Sequence, residues 1–262
     1  MSAGGALAGR AAVITGGGRG IGAAVAHALT AAGAGVLVAA RTQAQVEPVA
    51  RELTAKGATA WAATCDVTDP KSVGALAETA QRRLGKIDIL INNAGLAHSA
   101  PIQKVTLDDW NRLFTVNATG TFLCTQAFLP GMVERRWGRV GNVASIAGLT
   151  GGQYIAAYSA AKHAVVGFTR SVAAEVAQAG VTVNAVCPGY VDTAMTVESI
   201  RRIMEKTGRT REQVLQAIFE TTPQRRLISP EEVAHAVLSL CREDARGVNG
   251  HALVIDGGAL SA

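Results

Sequence analysis

Residues 11–22 read AAVITGGGRGIG, and this stretch decides the fold. The apolar run Ala11–Thr15 predicts a buried strand, and the Ala-rich stretch Ile21–Ala32 predicts the helix that follows it. Glycines at such a turn let the backbone approach a pyrophosphate, and the helix N-terminus offers it free N–H groups. The spacing departs from GxGxxG because position 21 is Ile. We favour a dinucleotide site over an ordinary glycine-rich turn. Its candidate residues are Gly16, Gly18, Arg19, Gly20, Ile21 and Gly22.

Strand and helix patterns alternate along the rest of the chain. Further strands are predicted at Val36–Ala39, Ala58–Ala63, Ile87–Ile91, Arg139–Ala144, Val181–Val186 and Ala252–Ile255. This alternation indicates the α/β class, with a parallel sheet covered by helices on both faces. No Pro/Ser-rich linker or repeat divides residues 1–262, so one domain is predicted. Residues 194–228 interrupt the rhythm and are predicted to be an inserted lid at the sheet edge where α/β proteins bind ligands.

Composition excludes several classes of protein. Hydrophobic residues make up 48% and charged residues 17% of the chain, which is typical of a packed core and not of a disordered protein. The chain has few aromatic residues and a net charge of only +5, which argues against a nucleic-acid partner. Its four cysteines lie far apart, which argues against a metal site or a disulfide framework. Without a signal-peptide or membrane-span pattern, we expect a cytoplasmic protein with no membrane partner.

The end of the second predicted strand bears on cofactor choice. An acidic residue there would bind the ribose 2′-hydroxyl of NAD, but the strand ends Val38-Ala39-Ala40-Arg41. Arg41 is placed to bind a 2′-phosphate, with Arg19 of the glycine loop beside it. The alternative is that both arginines are solvated surface residues. The missing acid and the two bases favour NADP(H) over NAD(H).

A tyrosine and a lysine in one helical stretch suggest acid–base chemistry. Of the three tyrosines, only Tyr158 has a lysine four residues on, Lys162. Residues i and i+4 share a helix face, and an ammonium within ~4–6 Å lowers a phenol pKa by roughly 1–3 units, towards the range of efficient general acid–base catalysis. A surface Tyr–Lys pair is the alternative. Ser145, at the end of the fifth strand, is placed to hydrogen-bond a substrate carbonyl.

Taken together, the motifs resemble those of short-chain dehydrogenases/reductases from end to end. The matching segments are Thr15–Gly22, Asp66-Val67, Asn92-Asn93-Ala94-Gly95, Asn117, Ser145, Tyr158-x3-Lys162, Pro188-Gly189 with Val191 and Thr193, and Asp256-Gly257-Gly258. The resemblance implies a single-domain Rossmann fold with a doubly wound, seven-stranded parallel sheet, and usually a homotetramer. One departure is Gly141 in the fifth strand, where such proteins carry a bulky apolar residue.

The resemblance also implies roles for individual residues. Tyr158 is the general acid for ketone reduction and Ser145 positions the carbonyl. Lys162 lowers the tyrosine pKa and binds the nicotinamide ribose, and Asn117 holds a water that links Lys162 to solvent. The remaining cofactor-binding residues are Arg41, Thr42, Asp66, Val67, Asn93, Ala94, Gly95, Pro188, Gly189, Val191 and Thr193.

The sequence indicates the substrate less clearly than the cofactor. We expect Gln153 and Tyr190 to contact the substrate beside Ser145 and Tyr158. The chain resembles reductases of β-keto acyl thioesters, polyketide ketoreductases, and 3-hydroxyacyl or hydroxybutyrate dehydrogenases. Basic residues in the insertion could meet the phosphates of coenzyme A or of an acyl carrier, or form a solvated face; they are Arg201, Arg202, Lys206, Arg209 and Arg211. We expect NADPH-dependent hydride transfer to a ketone. The alternatives are a secondary-alcohol or 3-hydroxyacyl dehydrogenase working oxidatively, and an NADP-binding sensor without activity.

Overall fold

The computed structural model describes residues 5–260, in which seven parallel strands form one sheet with the order β3-β2-β1-β4-β5-β6-β7. The strands are β1 Ala11–Thr15, β2 Gly35–Ala40, β3 Ala60–Thr64, β4 Ile89–Asn92, β5 Gly138–Val143, β6 Val181–Pro188 and β7 Ala252–Ile255. The chain winds outward in one direction from β1 and in the other from β4, so a crevice opens between these two strands at their carboxyl ends. The predicted doubly wound sheet is confirmed. The predicted domain also includes residues 1–4 and 261–262, which lie outside the described residues.

The described helices lie between the strands, as the alternation predicts. They are α1 Gly20–Ala31, α2 Gln43–Ala55, α3 Pro70–Leu84, α4 Leu107–Phe114, α5 Gly120–Glu134, α6 Ala156–Val176, α7 Ala194–Thr207, α8 Arg211–Glu220 and α9 Pro230–Cys241. Asp69 caps α3 by accepting a hydrogen bond from the backbone N–H of Lys71. Ser229 and Glu232 form a capping box at the start of α9. Local capping chemistry therefore sets where these helices begin.

Both faces of the sheet carry an apolar core. Alternate residues of a strand point to opposite faces, so Ala12 and Ile14 pack towards α1, α2 and α9. Ala11 and Val13 pack on the other face, with residues of α3, α5 and α6. Because both faces are covered, the strands are mostly apolar, and their polar residues Arg139, Asn142, Thr182 and Asn184 are buried.

The unusual Gly141 has a packing explanation. A Cβ at this position would lie 2.9 Å from Cδ1 of Ile91 on the neighbouring strand, so the isoleucine occupies the space that a side chain would need. Gly141 still pairs with Ile91 on one side and Asn184 on the other. The glycine therefore leaves β5 intact and aligned.

The predicted insertion consists of the helices α7 and α8, and the segments before and after this pair lie next to each other. A parallel bridge between Val191 and Ile228 closes its base. Its helices α7 and α8 bury a small apolar cluster of their own, centred on Ile200, Val214 and Ile218. Among residues 5–260, no helix is long and apolar enough to cross a membrane.

Candidate active site

A cavity of about 540 Å³ opens at the carboxyl ends of the strands β1 to β6. Strand ends, the glycine loop, the π-helical turn after α4 and the start of α7 all contribute to its wall. The predicted site residues that line it are Gly16, Gly18, Arg19, Gly20, Ile21, Arg41, Asp66, Val67, Asn93, Ala94, Gly95, Asn117, Ser145, Tyr158, Lys162, Pro188, Gly189, Val191 and Thr193. Residues from across the whole chain are thus brought to one crevice.

The glycine loop has the form that a pyrophosphate requires. Gly16 and Gly20 have φ values of +64° and +52°, a region that favours glycine. The first turn of α1 carries no acidic residue, and the Arg19 side chain makes no capping hydrogen bond. The N–H groups and the positive dipole end of α1 are therefore available to an anion in the cavity. The residues present fit the diphosphate of a dinucleotide.

Asn93 holds the glycine loop against β4. Its Nδ2 donates to the carbonyl oxygens of Thr15 and Gly16, both at 3.0 Å. In return, the Thr15 hydroxyl accepts from the backbone N–H groups of Asn93 and Ala94, both at 3.1 Å. A Cβ on Gly22 would lie 2.3 Å from the Gly16 carbonyl oxygen, so Gly22 supports the loop from behind and does not line the cavity.

The end of the cavity beside β2 and β3 combines a carboxylate with an arginine. Asp66 Oδ1 accepts from the Thr68 N–H at 3.0 Å and from its hydroxyl at 2.7 Å. These hydrogen bonds, with a smaller contribution from the Arg41 charge, lower the pKa of Asp66. Arg19 of the glycine loop also lines the cavity, and β2 ends at Ala40 without a carboxylate. The predicted contact residue Thr42 is the N-cap of α2 and does not line the cavity.

Asn117 lies in a π-helical turn, Thr115–Thr119, inserted between α4 and α5. Such turns often occur at functional sites because they redirect a side chain within a helix. The Asn117 amide donates to the carbonyl oxygens of Leu113 and Leu96 at 2.9 and 3.0 Å, and accepts from the Leu96 N–H at 3.2 Å. Its side chain is therefore engaged with backbone, and it ties the loop after β4 to the helix.

Ser145 and Tyr158 meet at the end of β5. The Ser145 hydroxyl accepts from the Ala147 N–H at 3.1 Å and lies 3.5 Å from the Pro188 carbonyl oxygen. Burial raises the pKa of Tyr158, and the nearby Ser145 hydroxyl opposes this effect without cancelling it. The expectation that the Lys162 ammonium lowers the pKa of this phenol stays a prediction, since burial is the largest influence on the phenol in the structure.

Lys162 is itself a strongly perturbed group. Its side chain is 6% exposed, and Nζ donates to the Val143 carbonyl oxygen at 2.8 Å. The ammonium lies 5.9 Å from the centroid of the Tyr158 ring. Burial lowers the pKa of Lys162 from its usual 10.5 to about 8. The i and i+4 spacing thus places both groups on one face of α6 and in one buried environment.

Several residues depart from the predicted site. Gln153 is exposed, Tyr190 is 45% exposed, and neither lines the cavity. Conversely, Asn111 and Arg112 of α4 line the cavity but were not predicted. They lie in an ordinary amphipathic helix, so no local motif marks them. The position of α4 beside the crevice is set by tertiary packing.

The basic residues of the insertion behave in two ways. Arg201 forms ion pairs with Glu198 and Glu205 on its own helix, and Arg202 pairs with Glu198. These pairs favour the solvated-face interpretation for both arginines. No ion pair joins Arg209 or Arg211 to an acidic residue within residues 5–260.

Comparisons with known proteins agree with this architecture. The family model described as short chain dehydrogenase matches residues 10–203. A 3-oxoacyl-(acyl-carrier-protein) reductase of Aquifex aeolicus is 37% identical over 253 residues, which cover 96% of this chain and 98% of that protein. A D-β-hydroxybutyrate dehydrogenase of Cupriavidus necator is 36% identical, again over 96% of this chain and 98% of that protein.

A solved structure gives the same result at the level of the fold. The crystal structure of an actinorhodin polyketide ketoreductase variant with NADPH superposes with a TM-score of 0.92 and 36% sequence identity. The match covers 95% of this chain and 97% of that chain. The chain therefore belongs to the short-chain dehydrogenase/reductase family, whose members act on carbonyl and hydroxyl groups with a nicotinamide cofactor.

Proposed function

We propose that this protein reduces a ketone to a secondary alcohol with NADPH in the cavity described above. The observation that carries the proposal is the juxtaposition of Ser145, Tyr158 and Lys162 in the crevice that also contains the glycine loop. A partly buried phenol with a raised pKa keeps its proton at neutral pH. Tyr158 is therefore suited to donate a proton to a substrate oxygen, which is the role that a reduction requires.

The residues divide the chemistry between them. Ser145 donates a hydrogen bond to the carbonyl oxygen and orients it towards Tyr158. A bound reduced nicotinamide supplies the hydride to the carbonyl carbon. As negative charge develops on the oxygen, Tyr158 transfers its phenolic proton to it. Lys162, charged below about pH 8, stabilises the phenolate that remains. Asn117 keeps the loop after β4 against this site through its contacts with Leu96.

The preference for NADPH rests on the adenosine end of the cavity. Arg19 and Arg41 both line the cavity, and no carboxylate ends β2 to bind a ribose 2′-hydroxyl. A phosphate ester carries about −1.5 to −2 charge at neutral pH, so two guanidinium groups favour it. The glycine loop and the N-terminus of α1 would hold the diphosphate.

For the substrate we propose a β-keto acyl thioester or a related ketone. The support is the similarity to the acyl-carrier-protein reductase and to the polyketide ketoreductase over nearly the whole chain. Arg209 and Arg211 follow Gly208 at the junction of α7 and α8, where they would meet the phosphates of a carrier or of coenzyme A. Arg201 and Arg202 have partners within α7 and are not assigned this role.

The experiment is a substrate panel followed by nicotinamide absorbance. It comprises β-keto thioesters of coenzyme A, simple ketones and secondary alcohols, each with both cofactors at neutral pH. We expect the highest kcat/KM for a β-keto thioester with NADPH. A higher kcat/KM for a secondary alcohol with an oxidised cofactor would instead favour the oxidative alternative. The similarity to a hydroxybutyrate dehydrogenase supports that alternative. Cofactor binding without turnover of any compound would favour a sensor.

We also propose that the protein assembles as a homotetramer. Apolar side chains are exposed on α4 and α5, where Leu107 is 72%, Trp110 38% and Phe122 42% exposed. Exposed apolar side chains of this kind are stabilised when a second copy covers them. Light scattering coupled to gel filtration measures the mass, and a monomer at micromolar concentration would contradict the assembly.

A further inference from the structure

A chain of hydrogen-bonded polar side chains runs through the interior beneath the candidate site. We call it the polar seam, and it consists of Asn92, Thr121, Thr125, Asn142 and Thr169. Each of these residues is at most 5% exposed. They lie on the side of the sheet where apolar residues of α5 and α6 pack against the strands. None of them lines the cavity, so the proposed chemistry does not use them directly.

The seam begins on α6 and crosses two strands. Asn142 Nδ2, on β5, donates to the Thr169 hydroxyl of α6 at 2.9 Å. Asn92 Nδ2, directly opposite on β4, donates to Asn142 Oδ1 at 2.8 Å. The same Asn92 amide donates to the Thr125 hydroxyl of α5 at 3.0 Å. Three side-chain hydrogen bonds therefore join α6, β5, β4 and α5.

From α5 the chain of contacts reaches the π-helical turn. The Thr125 hydroxyl donates to the Thr121 carbonyl oxygen at 2.7 Å. The Thr121 hydroxyl in turn donates to the carbonyl oxygen of Asn117 at 2.8 Å. The seam thus ends on the backbone of a candidate active-site residue.

The seam also contacts the elements that carry the other candidate catalytic residues. Asn142 lies three residues before Ser145 on β5, and its neighbour Val143 accepts the Lys162 hydrogen bond. Thr169 lies seven residues after Lys162 and eleven after Tyr158, a spacing that places all three on one face of α6. A hydrogen bond between Asn142 and Thr169 therefore fixes the rotation and height of this face relative to the end of β5.

Burying the polar seam costs folding free energy, which suggests that its geometry has a use. Buried polar groups cost free energy when they lack partners, and well-packed apolar residues of similar size would avoid that cost. The cost is visible here, because Asn92 Oδ1 is buried without a hydrogen-bond partner among residues 5–260. Directional hydrogen bonds can select one packing arrangement where apolar contacts tolerate several.

We propose that the polar seam positions the active site, with Asn142 and Thr169 acting as positioning residues for Tyr158 and Lys162. The inference rests on the proposed function, because it assumes that these two groups act on the substrate. Loss of the seam would let α6 rotate or slide against β5. Since a displacement of about 1 Å can reduce a rate by up to ~10²-fold, the effect should be seen in kcat.

The test replaces Thr169 with Val, which keeps the shape of the side chain but removes its hydroxyl. The matched control is Thr182→Val, because the Thr182 hydroxyl is also buried but has no hydrogen-bond partner. We expect kcat to fall about tenfold in Thr169→Val, with a shift in the pH profile of kcat. We expect little change in Thr182→Val, and Thr169→Ser should restore both the rate and the profile by restoring the hydroxyl.

Thermal unfolding and NADPH binding by fluorescence are measured on the same variants. Folded Thr169→Val with parental kcat and pH profile would overturn the proposal, even if its Tm is lowered, because the seam would then only stabilise the fold. If Thr169→Val does not fold, Thr125→Val tests the opposite end of the seam in the same way. An active Tyr158→Phe variant would contradict the proposed function. A normal rate in Thr169→Val beside an inactive Tyr158→Phe would contradict the seam alone.

Discussion

Replacing Lys162 with Met should make the unliganded protein more stable while abolishing its activity. Lys162 is 6% exposed, and burial lowers its pKa from 10.5 to about 8. At pH 7 the lysine is charged in both the folded and the unfolded chain. The folded protein must therefore hold an ammonium in surroundings that favour the neutral amine. Methionine has a similar length and no charge, so the variant avoids this cost.

The magnitude follows from the pKa difference between the two states. With the folded pKa near 8, the buried charge costs about 3 kcal/mol at pH 7, and the cost falls to about 1 kcal/mol at pH 10. The hydrogen bond from Nζ to the Val143 carbonyl oxygen offsets roughly 1 kcal/mol. Because the pKa of this base is lower in the folded protein, the unfolded chain binds more protons between about pH 8 and 10.5. The free energy of unfolding of the parent therefore increases as the pH rises through this range.

The assay is urea-induced unfolding of the unliganded parent and the Lys162→Met variant at pH 7 and pH 10. The variant should be more stable by about 2 kcal/mol at pH 7, and this advantage should disappear at pH 10. Lys71→Met, at an exposed position on α3, is the matched control and should show neither effect. The reasoning is refuted if Lys162→Met is less stable than the parent at pH 7, or if its advantage is the same at both pH values.

The remaining predictions concern the cofactor, the insertion and the carrier phosphates. Ala40→Asp combined with Arg41→Ala should move the ratio of kcat/KM values from NADPH towards NADH, because the new carboxylate repels a 2′-phosphate; a parent that already prefers NADH would contradict the role of Arg41. Residues 194–222 have only a small apolar core of their own, so we expect them to open easily without ligand and their amide hydrogen exchange to slow when NADPH binds. Equally strong protection with and without NADPH would refute a lid. Arg209→Glu should raise KM for a coenzyme A thioester and leave KM for a small ketone unchanged. Arg201→Glu, at an ion-paired position, serves as the comparison. Equal effects on both substrates would show that Arg209 is a solvated surface residue without a role in binding.

Local patterns in the sequence predict most of the fold. The bounds of β1 and β7 match the predicted bounds, because an apolar run between turn residues marks a buried strand well. Helix α2 begins at Gln43 and accommodates Pro48 in its interior. Tertiary packing of Val46 and Ala50 against the sheet overrides the local signal there.

The candidate site is predictable only in part, for physical reasons. The glycine loop and the Tyr158–Lys162 spacing are local, so the sequence shows them directly. The raised pKa of Tyr158 is not local, since it depends on burial by elements that lie far away along the chain. The polar seam is likewise hidden, because Asn92 and Asn142 are fifty residues apart and become neighbours only when β4 pairs with β5.

The central claim, that Tyr158 donates the proton to a substrate carbonyl, is tested most directly by kcat/KM for a β-keto thioester with NADPH in the parent and in Tyr158→Phe. The account predicts a loss of ~10²–10⁴-fold in the variant, with its NADPH affinity nearly unchanged. Tyr154→Phe, which removes a hydroxyl from an exposed tyrosine nearby, should remain fully active. Activity of Tyr158→Phe within a factor of about two of the parent would contradict the claim.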